Sequence, residues 1–241
     1  MDVIIIKIKY DFHIHSCLSP CGDNDMTPEN LVNMAKLCGD QVIALTDHNS
    51  CLNCPAALKA GKSIGLTVIP GMELTTSEEI HVVCLFEYIK NALEFSEFVY
   101  SHLPTVHNNP SIFGDQLIMN ENDEVEGTVD KLLINATSIS IMQIVSLMEK
   151  FGGFCFPAHI DRNSYSILSN LGYFPDDCGF VAAEISKKCD LEMLKQSHSE
   201  INGLHILRDS DSHSLDWLDF ENETIDCNAL TFQDIVDSIK Q

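Results

Sequence analysis

The stretch Tyr10-Asp11-Phe12-His13-Ile14-His15-Ser16 sets two imidazoles and a carboxylate at alternate positions. At the two-residue period of a strand, Asp11, His13 and His15 face one side, and Tyr10, Phe12 and Ile14 face the other. Three polar groups on one buried face are costly unless something binds them, and a divalent cation is the chemistry such a face serves. The apolar run Val3-Ile4-Ile5-Ile6-Lys7-Ile8 just before it argues against a solvated edge. The pattern recurs along the chain. His13, His15, His48, His81, His159 and His213 all fall at predicted strand ends, accompanied by Glu73 and Asp211. Asp211 and His213 repeat the i, i+2 spacing of His13 and His15. The other histidines (His102, His107, His198 and His205) fall in helices, an insertion or mid-strand, and read as structural or surface residues.

The elements that must position these groups alternate between the two periodicities. After the first strand, a loop ends in Thr27-Pro28-Glu29, an N-cap with proline at the first helical position, and Gly39 stops the helix. Gln41–Thr46 reads as a short buried parallel strand running into Asp47-His48-Asn49. A helix over Pro55–Ser63 follows, then a strand over Leu66–Pro70 that delivers Gly71-Met72-Glu73. Ile80–Phe86 is the next strand and Asn91–His102 the next helix. The segment 104–136 breaks the rhythm as an insertion, with a polar turn at 119–125 between short strands. Ser138–Lys150 is a helix, Phe154–Pro157 a strand leading to Ala158-His159-Ile160-Asp161-Arg162. Strands at Phe180–Glu184 and Leu204–Leu207 flank a helix at Leu191–His198, and a helix capped by Thr231 closes the chain. Strands alternating with helices over short loops predict an α/β fold with a parallel sheet or barrel, and polar residues just beyond strand carboxyl ends are where barrel enzymes keep their chemistry. No glycine-rich phosphate fingerprint follows the first strand, which disfavours a nucleotide-binding doubly wound sheet.

The 241 residues suffice for one large α/β domain. No apolar run is long enough to span a membrane, and the first residues lack the basic and small-residue pattern of a signal peptide. With ten cysteines, that points to free thiols in a reducing, cytoplasmic setting. Fourteen Lys and Arg against 36 Asp and Glu give a net charge of −22, a field expected to turn away long nucleic acid and anionic membranes. A small anionic substrate fits if bound metals make the site locally positive. Composition is silent on oligomeric state.

At this point the chain resembles a known family. His13-Ile14-His15-Ser16, Thr46-Asp47-His48-Asn49, Gly71-Met72-Glu73, His81, Pro157-Ala158-His159 and Asp211-Ser212-His213 look like the successive motifs of the PHP (polymerase and histidinol phosphatase) family, in order, from about residue 10 to 215. The resemblance implies one domain over 1–241 folded as a distorted seven-stranded, TIM-like β/α barrel, with two or three divalent metals at its carboxyl face. It implies that His13, His15, Glu73 and Asp211 hold one metal. Glu73 would bridge to a second metal held by His81 and His159, with His48 and His213 on a third. Imidazole and carboxylate donors suit zinc, manganese or iron. The family's first loop usually supplies one more ligand; Ser19-Pro20-Cys21-Gly22-Asp23 fills that place with unusual spacing, leaving Asp23 as the candidate and Asp25 behind it. Asp11 and Asp47 are expected to orient neighbouring imidazoles.

Such a cluster activates water and clamps phosphoryl oxygens, so the expected activity is hydrolysis of a small-molecule or nucleotide phosphomonoester. Arg162, one of only two arginines, is a candidate phosphate grip, with a salt bridge to a nearby acid as its plain alternative. Asp161 is a candidate general acid or Arg162's partner, and His213 could assist the leaving group. The competing functions are a 3′–5′ exonuclease or phosphodiesterase on short oligonucleotides, and a non-catalytic metal module. A separate four-thiolate site from Cys17, Cys21, Cys51 and Cys54 is a further possibility, because each pair follows a histidine motif. The insertion and Leu171–Cys178 are expected to shape the pocket.

Overall fold

A computed structural model describes residues 5–218 and 220–240. Strands β1 (Ile6–Ile14), β2 (Val42–Leu45) and β3 (Thr67–Thr75) run parallel, joined by helices α1 (Pro28–Cys38) and α2 (Cys54–Ile64). The helix punctuation read from sequence is present at α1: Thr27 accepts the Asn30 N–H, and Gly39 takes φ +92° at the C-terminus. β3 extends to Thr75, past its predicted end, because a hairpin carries it into β4 (His81–Phe86), which pairs antiparallel. β7 (Gly153–Pro157) pairs antiparallel to β4, and β10 (Thr224–Cys227), which the sequence did not suggest, pairs antiparallel to β1.

The result is a curled, mixed sheet of six strands in the order β10-β1-β2-β3-β4-β7, with eight helices among the described residues. This curled sheet agrees with a TIM-like barrel, but the main sheet holds six strands rather than seven among the described residues, and three of its five pairings are antiparallel. β8 (Ala182–Glu184) and β9 (His205–Leu207) form a separate parallel pair. Single hydrogen bonds extend the curl, from Ile160 N–H to Glu184 C=O at one margin and from His15 N–H to Ser212 C=O at the other.

The two faces of the sheet bury different things. Outside, Ile43, Leu45, Val68, Met72, Leu74, Val82 and Cys84 pack under α1, α2, α3 (Ile89–His102) and α5 (Ile144–Phe151). Inside, Ile8, Tyr10, Phe12, Val42, Ala44, Val83, Phe154 and Phe156 form a second cluster, closed at the amino ends of the strands by Ile235, Val236 and Ile239 of α8 (Phe232–Ile239). The expected exclusion of the first apolar run from solvent holds at Ile8 and fails before it. Ile5 and Ile6 are 65% and 37% exposed, and Val3 and Ile4 lie outside the described residues.

The insertion folds as a short helix α4 (Pro110–Phe113) and a hairpin of β5 (Leu117–Met119) and β6 (Val125–Thr128) around the predicted polar turn. It docks on the loops after β1 and β2. Leu117 donates its N–H to Cys17 C=O, Met119 to the Asn53 side chain, and Asn49 donates to Leu133 and Asn135 carbonyls. Beyond β7 come α6 (Ile167–Leu171) and α7 (Leu191–Ser197). No helix is long and apolar enough to cross a membrane among the described residues.

Candidate metal centre

β1 does not alternate to its end. Asp11 pairs with Ile43 but Ile14 pairs with Leu45, so three steps on β1 match two on β2. This bulge puts Phe12 with Tyr10 in the inner cluster and sends Ile14 to the outer one. His13 and His15 therefore share the inner side with Tyr10 and Phe12, not the side opposite them. The bulge is held by carboxylates: Asp209 accepts the Phe12 N–H at 2.5 Å, and Asp11 accepts the N–H groups of His13 and Ser210. Burial pushes the Asp11 carboxyl up to about 7. Asp11 thus positions the backbone of β1 rather than an imidazole ring.

Glu73, fully buried on β3, is the hub. His81 Nδ1 lies 2.8 Å from its Oε1 and His48 Nδ1 2.9 Å from its Oε2. His159 Nε2 and His13 Nε2 are each 3.2 Å from Oε1, and His15 Nε2 is 3.3 Å from Oε2. Asp211 Oδ1 faces His13 Nε2 at 3.3 Å and His15 Nε2 at 3.2 Å. Gly71, on the same inward row, has no room for a side chain: a Cβ would stand 2.9 Å from Cys84 O and from the Thr46 methyl.

Hydrogen bonds satisfy only part of this cluster. His48 Nδ1, Glu73 Oε2, both His81 nitrogens, His159 Nδ1 and Asp211 Oδ1 are buried without a hydrogen-bond partner. His13 Nε2 and His15 Nε2 point at each other 3.1 Å apart. Lone pairs converging on shared points, at the cost of unmet hydrogen bonds, are what a cation-binding donor set requires. Three groups have ligand atoms within 4.8 Å of one another: His13, His15, Glu73 and Asp211; His48, Glu73 and His81; and His15, His48 and His213. The residues present therefore fit divalent metal ions.

The outward-facing ring nitrogens fix which lone pairs turn inward. A carboxylate only accepts, so His13 donates from Nδ1 to Glu184 Oε2 at 2.7 Å and keeps Nε2 free. His15 donates from Nδ1 to Ser19 Oγ, whose own proton goes to Asp47 Oδ1. His213 donates from Nδ1 to its neighbour's carbonyl, Asp211 O. Asp47, bonded also by the Ser16 N–H and hydroxyl, reaches His15 only through Ser19. Sequence reasoning passed over Glu184. Its signal was available: an acid at the last position of a short apolar strand.

Electrostatics follows from this crowding. Burial opposes ionisation of Glu73, but His81, His13 and His48 outweigh it and hold the carboxyl well below its usual range. Asp211 is held down likewise, by His13 and His15 against its burial. Burial pushes His48 down to about 4 and His213 to about 3, so both imidazoles are neutral, ligating forms at pH 7. His15 goes the other way, up to about 9, as its bonds to Asp211 and Glu73 overcome burial.

The remaining candidates separate. Arg162 Nη1 sits 2.5 Å from Asp211 Oδ2 with its side chain 44% exposed, so it is paired yet reaches the mouth of the site. Asp161 turns away: it accepts from the Ser186 N–H and hydroxyl and is neither Arg162's partner nor at the cluster. Asp23 and Asp25 are exposed and belong to none of the three ligand-competent groups, because the loop after β1 folds back through Gly22 and turns them outward. The four-thiolate site does not form. Cys51 and Cys54 donate to the Gly71 carbonyl within the outer core, Cys17 approaches Leu117 O, Cys21 is exposed, and no cysteine joins a ligand-competent group among the described residues. His102, His107 and His198 bond Phe98, Asp130 and Glu200, away from the cluster.

A cavity of about 120 Å³ opens over the cluster, lined by His48, Glu73, His81, His159, Arg162 and Tyr165 among others. A larger hollow of about 480 Å³ beside the insertion has a mainly apolar wall (Leu52, Leu93, Ile118, Val129) and gathers none of the cluster's groups.

The PHP domain family model matches residues 11–176, which include every residue of the cluster except Asp211, His213 and Glu184. The chain belongs to this family. It is 39% identical over 80 residues to a 5′-3′ exoribonuclease of Haemophilus influenzae, covering 32% of this chain and 28% of that protein. Its fold is similar to the lesion-specific endonuclease Q of Pyrococcus furiosus, with a TM-score of 0.72 at 20% identity, covering 98% of this chain and 56% of that one. A second endonuclease Q structure, with a 27-mer duplex carrying an abasic lesion at its active site, matches with a TM-score of 0.70 at 19% identity over 98% of this chain and 57% of that one. The chain thus spans under a third of the exoribonuclease and little over half of endonuclease Q.

These findings overturn the expectation that the chain's acidity excludes long nucleic acid. Relatives in family and fold act on it. Net charge describes the far field, whereas binding is decided by the local potential, which divalent ions at a histidine and carboxylate cluster reverse.

Proposed function

We propose that this protein is a metal-dependent hydrolase of phosphate esters whose substrates are nucleic acids or nucleotides. The observation that carries the reading is the set of buried, unpartnered nitrogens and oxygens around Glu73, open to solvent on one side through a cavity that ends at Arg162. The family and the exoribonuclease relative support nucleic acid as the substrate class.

In this reading His13, His15, Glu73 and Asp211 hold one metal, and His48, His81 and His159 hold a second around Glu73. His213 with His15 and His48 offers a third place. Zinc, manganese or iron suits the donors. Divalent metals there supply Lewis acidity and a water acidic enough to act near neutral pH. The chain's own part is positional. Glu184 and Ser19 lock the tautomers of His13 and His15, and the carboxylates that hold the bulge in β1 seat the backbone beneath both rings. Arg162, anchored on Asp211, presents its second guanidinium nitrogen to a phosphoryl oxygen. The narrow cavity favours a chain end or mononucleotide over an internal duplex site, which keeps phosphomonoester hydrolysis as the second reading.

The test is release from RNA labelled separately at its 5′ and 3′ ends, alongside nucleoside monophosphates, with added manganese, zinc or iron. Loss of mononucleotides from the 5′ end in wild type and not in a His13→Ala/His15→Ala variant is the expected result. Equal inactivity of both proteins across RNA, DNA, nucleotides and aryl phosphates would refute the proposal.

A further inference from the structure

Two aromatic side chains flank the cluster and take no part in its donor set. Tyr165 stacks on His81 with ring centroids 4.6 Å apart and planes 23° apart, and it is 40% exposed. Trp217 meets the His213 ring at 6.1 Å, edge to face, and is 59% exposed. A continuous succession of ring contacts joins them through His81, His48 and His213. The cluster thus lies between two open π-faces, with Arg162 at the same mouth.

Core packing does not account for these positions, since Trp217 is mostly exposed and Tyr165 keeps two-fifths of its surface in solvent. Tyr165 is held against local preference: its φ is +53°, a region bulky residues rarely adopt, and its carbonyl accepts the His81 N–H at 3.0 Å. Of seven non-glycine residues with positive φ among those described, Asn49, His159, Tyr165 and Asp211 all lie at or beside this site. The rest of the chain offers little grip for a polyanion, with 14 Lys and Arg against 36 Asp and Glu. Affinity for a nucleic acid must then come from the centre itself and from contacts that do not depend on backbone charge.

We propose that Tyr165 and Trp217 are stacking platforms for unpaired nucleobases on either side of the phosphate over the cluster, so that the substrate is single-stranded. This rests on the phosphate-ester reading above and narrows its substrate. Every base has a π-face, so such platforms are tolerant of sequence, while paired bases keep their faces inside the duplex and cannot use them.

Trp217 is the single tryptophan, so its fluorescence reports on one platform directly. Metal-loaded protein is titrated with phosphorothioate oligothymidine, which resists cleavage, and with a base-free oligomer of the same linkage. Stacking predicts quenching by oligothymidine only, and affinity for it at least about 10-fold above the base-free chain. Fluorescence anisotropy of labelled oligomers extends the comparison to Tyr165→Ala and Trp217→Ala, each expected to cut that preference by about 5- to 100-fold, while Tyr165→Phe and Trp217→Phe retain it. Equal wild-type affinity for the two polymers overturns the proposal, as do alanine variants that weaken both alike. The readout is independent of turnover. Base discrimination without any hydrolysis would count against the hydrolase reading alone, and hydrolysis without base discrimination against the platforms alone.

Discussion

At the amino ends of the strands, Ile8, Val42, Phe154 and Ala182 share with Phe156 an apolar cluster that includes Ile235, Val236 and Ile239 of α8 and is buried almost completely. At the opposite rim, formed by the carboxyl ends of β1 and β3, the start of the antiparallel β4 and the loop after β9, His13, His15, Glu73, His81 and Asp211 are buried just as deeply, and several of their polar atoms have no partner. The two ends share strands, curvature and burial, and differ only in what fills them. Burial of apolar surface is favourable by itself, at about 25 cal/mol per Å², whereas burial of unmet polar groups is not. The amino end stabilises the fold; the carboxyl end is tolerated by the fold and stabilised by what binds there.

That contrast predicts opposite behaviour under mutation. The largest effect falls on activity: Glu73→Gln, at the hub of all the close approaches, reduces phosphate-ester hydrolysis to the background of a buffer control while the circular dichroism spectrum is preserved. A Glu73 variant with wild-type turnover would break the comparison at its centre. Chelation comes next. Stripping with a strong chelator abolishes hydrolysis and lowers the thermal midpoint, both restored by one of zinc, manganese or iron, because ligand bound only to the native state stabilises it. Phe156→Ala at the apolar end costs about 3–5 kcal/mol of stability in urea titration, with the metal content per folded molecule, measured by mass spectrometry, unchanged.

A subtler effect belongs to Glu184. Glu184→Gln leaves a weaker acceptor for the His13 Nδ1–H and lowers metal affinity about 10- to 100-fold, read by competition with a chromogenic chelator. The smallest effect is a pH dependence at His205 on β9, whose imidazole burial pushes below its usual range. The unfolded chain binds the proton more readily than the folded one there, so His205 reduces stability as pH falls below about 6.5. His205→Gln should therefore gain stability relative to wild type at pH 5 and none at pH 8, by a fraction of a kcal/mol. A variant that gains equally at both values would show that packing, not titration, is responsible.

How much of this was legible beforehand depends on the kind of signal. Helix starts and stops such as Thr27-Pro28 and Gly39 are local chemistry and stand where the sequence puts them. The histidines at strand ends were legible because the limits of a strand are readable from hydrophobic pattern alone. What failed needed information from a distance. The antiparallel course of β4 depends on a tight reversal after Thr75, which has no crossover helix to announce it. β10 has a weak alternating pattern and is specified mainly by the open edge of β1. Asp161 and Asp23 have the right chemistry at the right place in the chain, yet backbone turns aim one at Ser186 and the other at solvent. Glu184 was overlooked because a single acid ending a three-residue strand has no partner nearby in sequence; His13 is 171 positions away.

The bulge in β1 has a consequence for how this site tolerates change. The extra residue between Asp11 and Ile14 shifts the inward row by one, from Tyr10 and Phe12 to His13 and His15. Substitutions nearby adjust strength gradually. Deleting one residue from Asp11-Phe12 would remove the bulge and return β1 to plain alternation, which keeps both histidines inward but takes away the irregular turn that Asp209 and Asp11 hold. The extra residue thus acts as slack in the strand: its loss spares the direction of the two rings and is felt in the carboxylate contacts that seat the backbone beneath them.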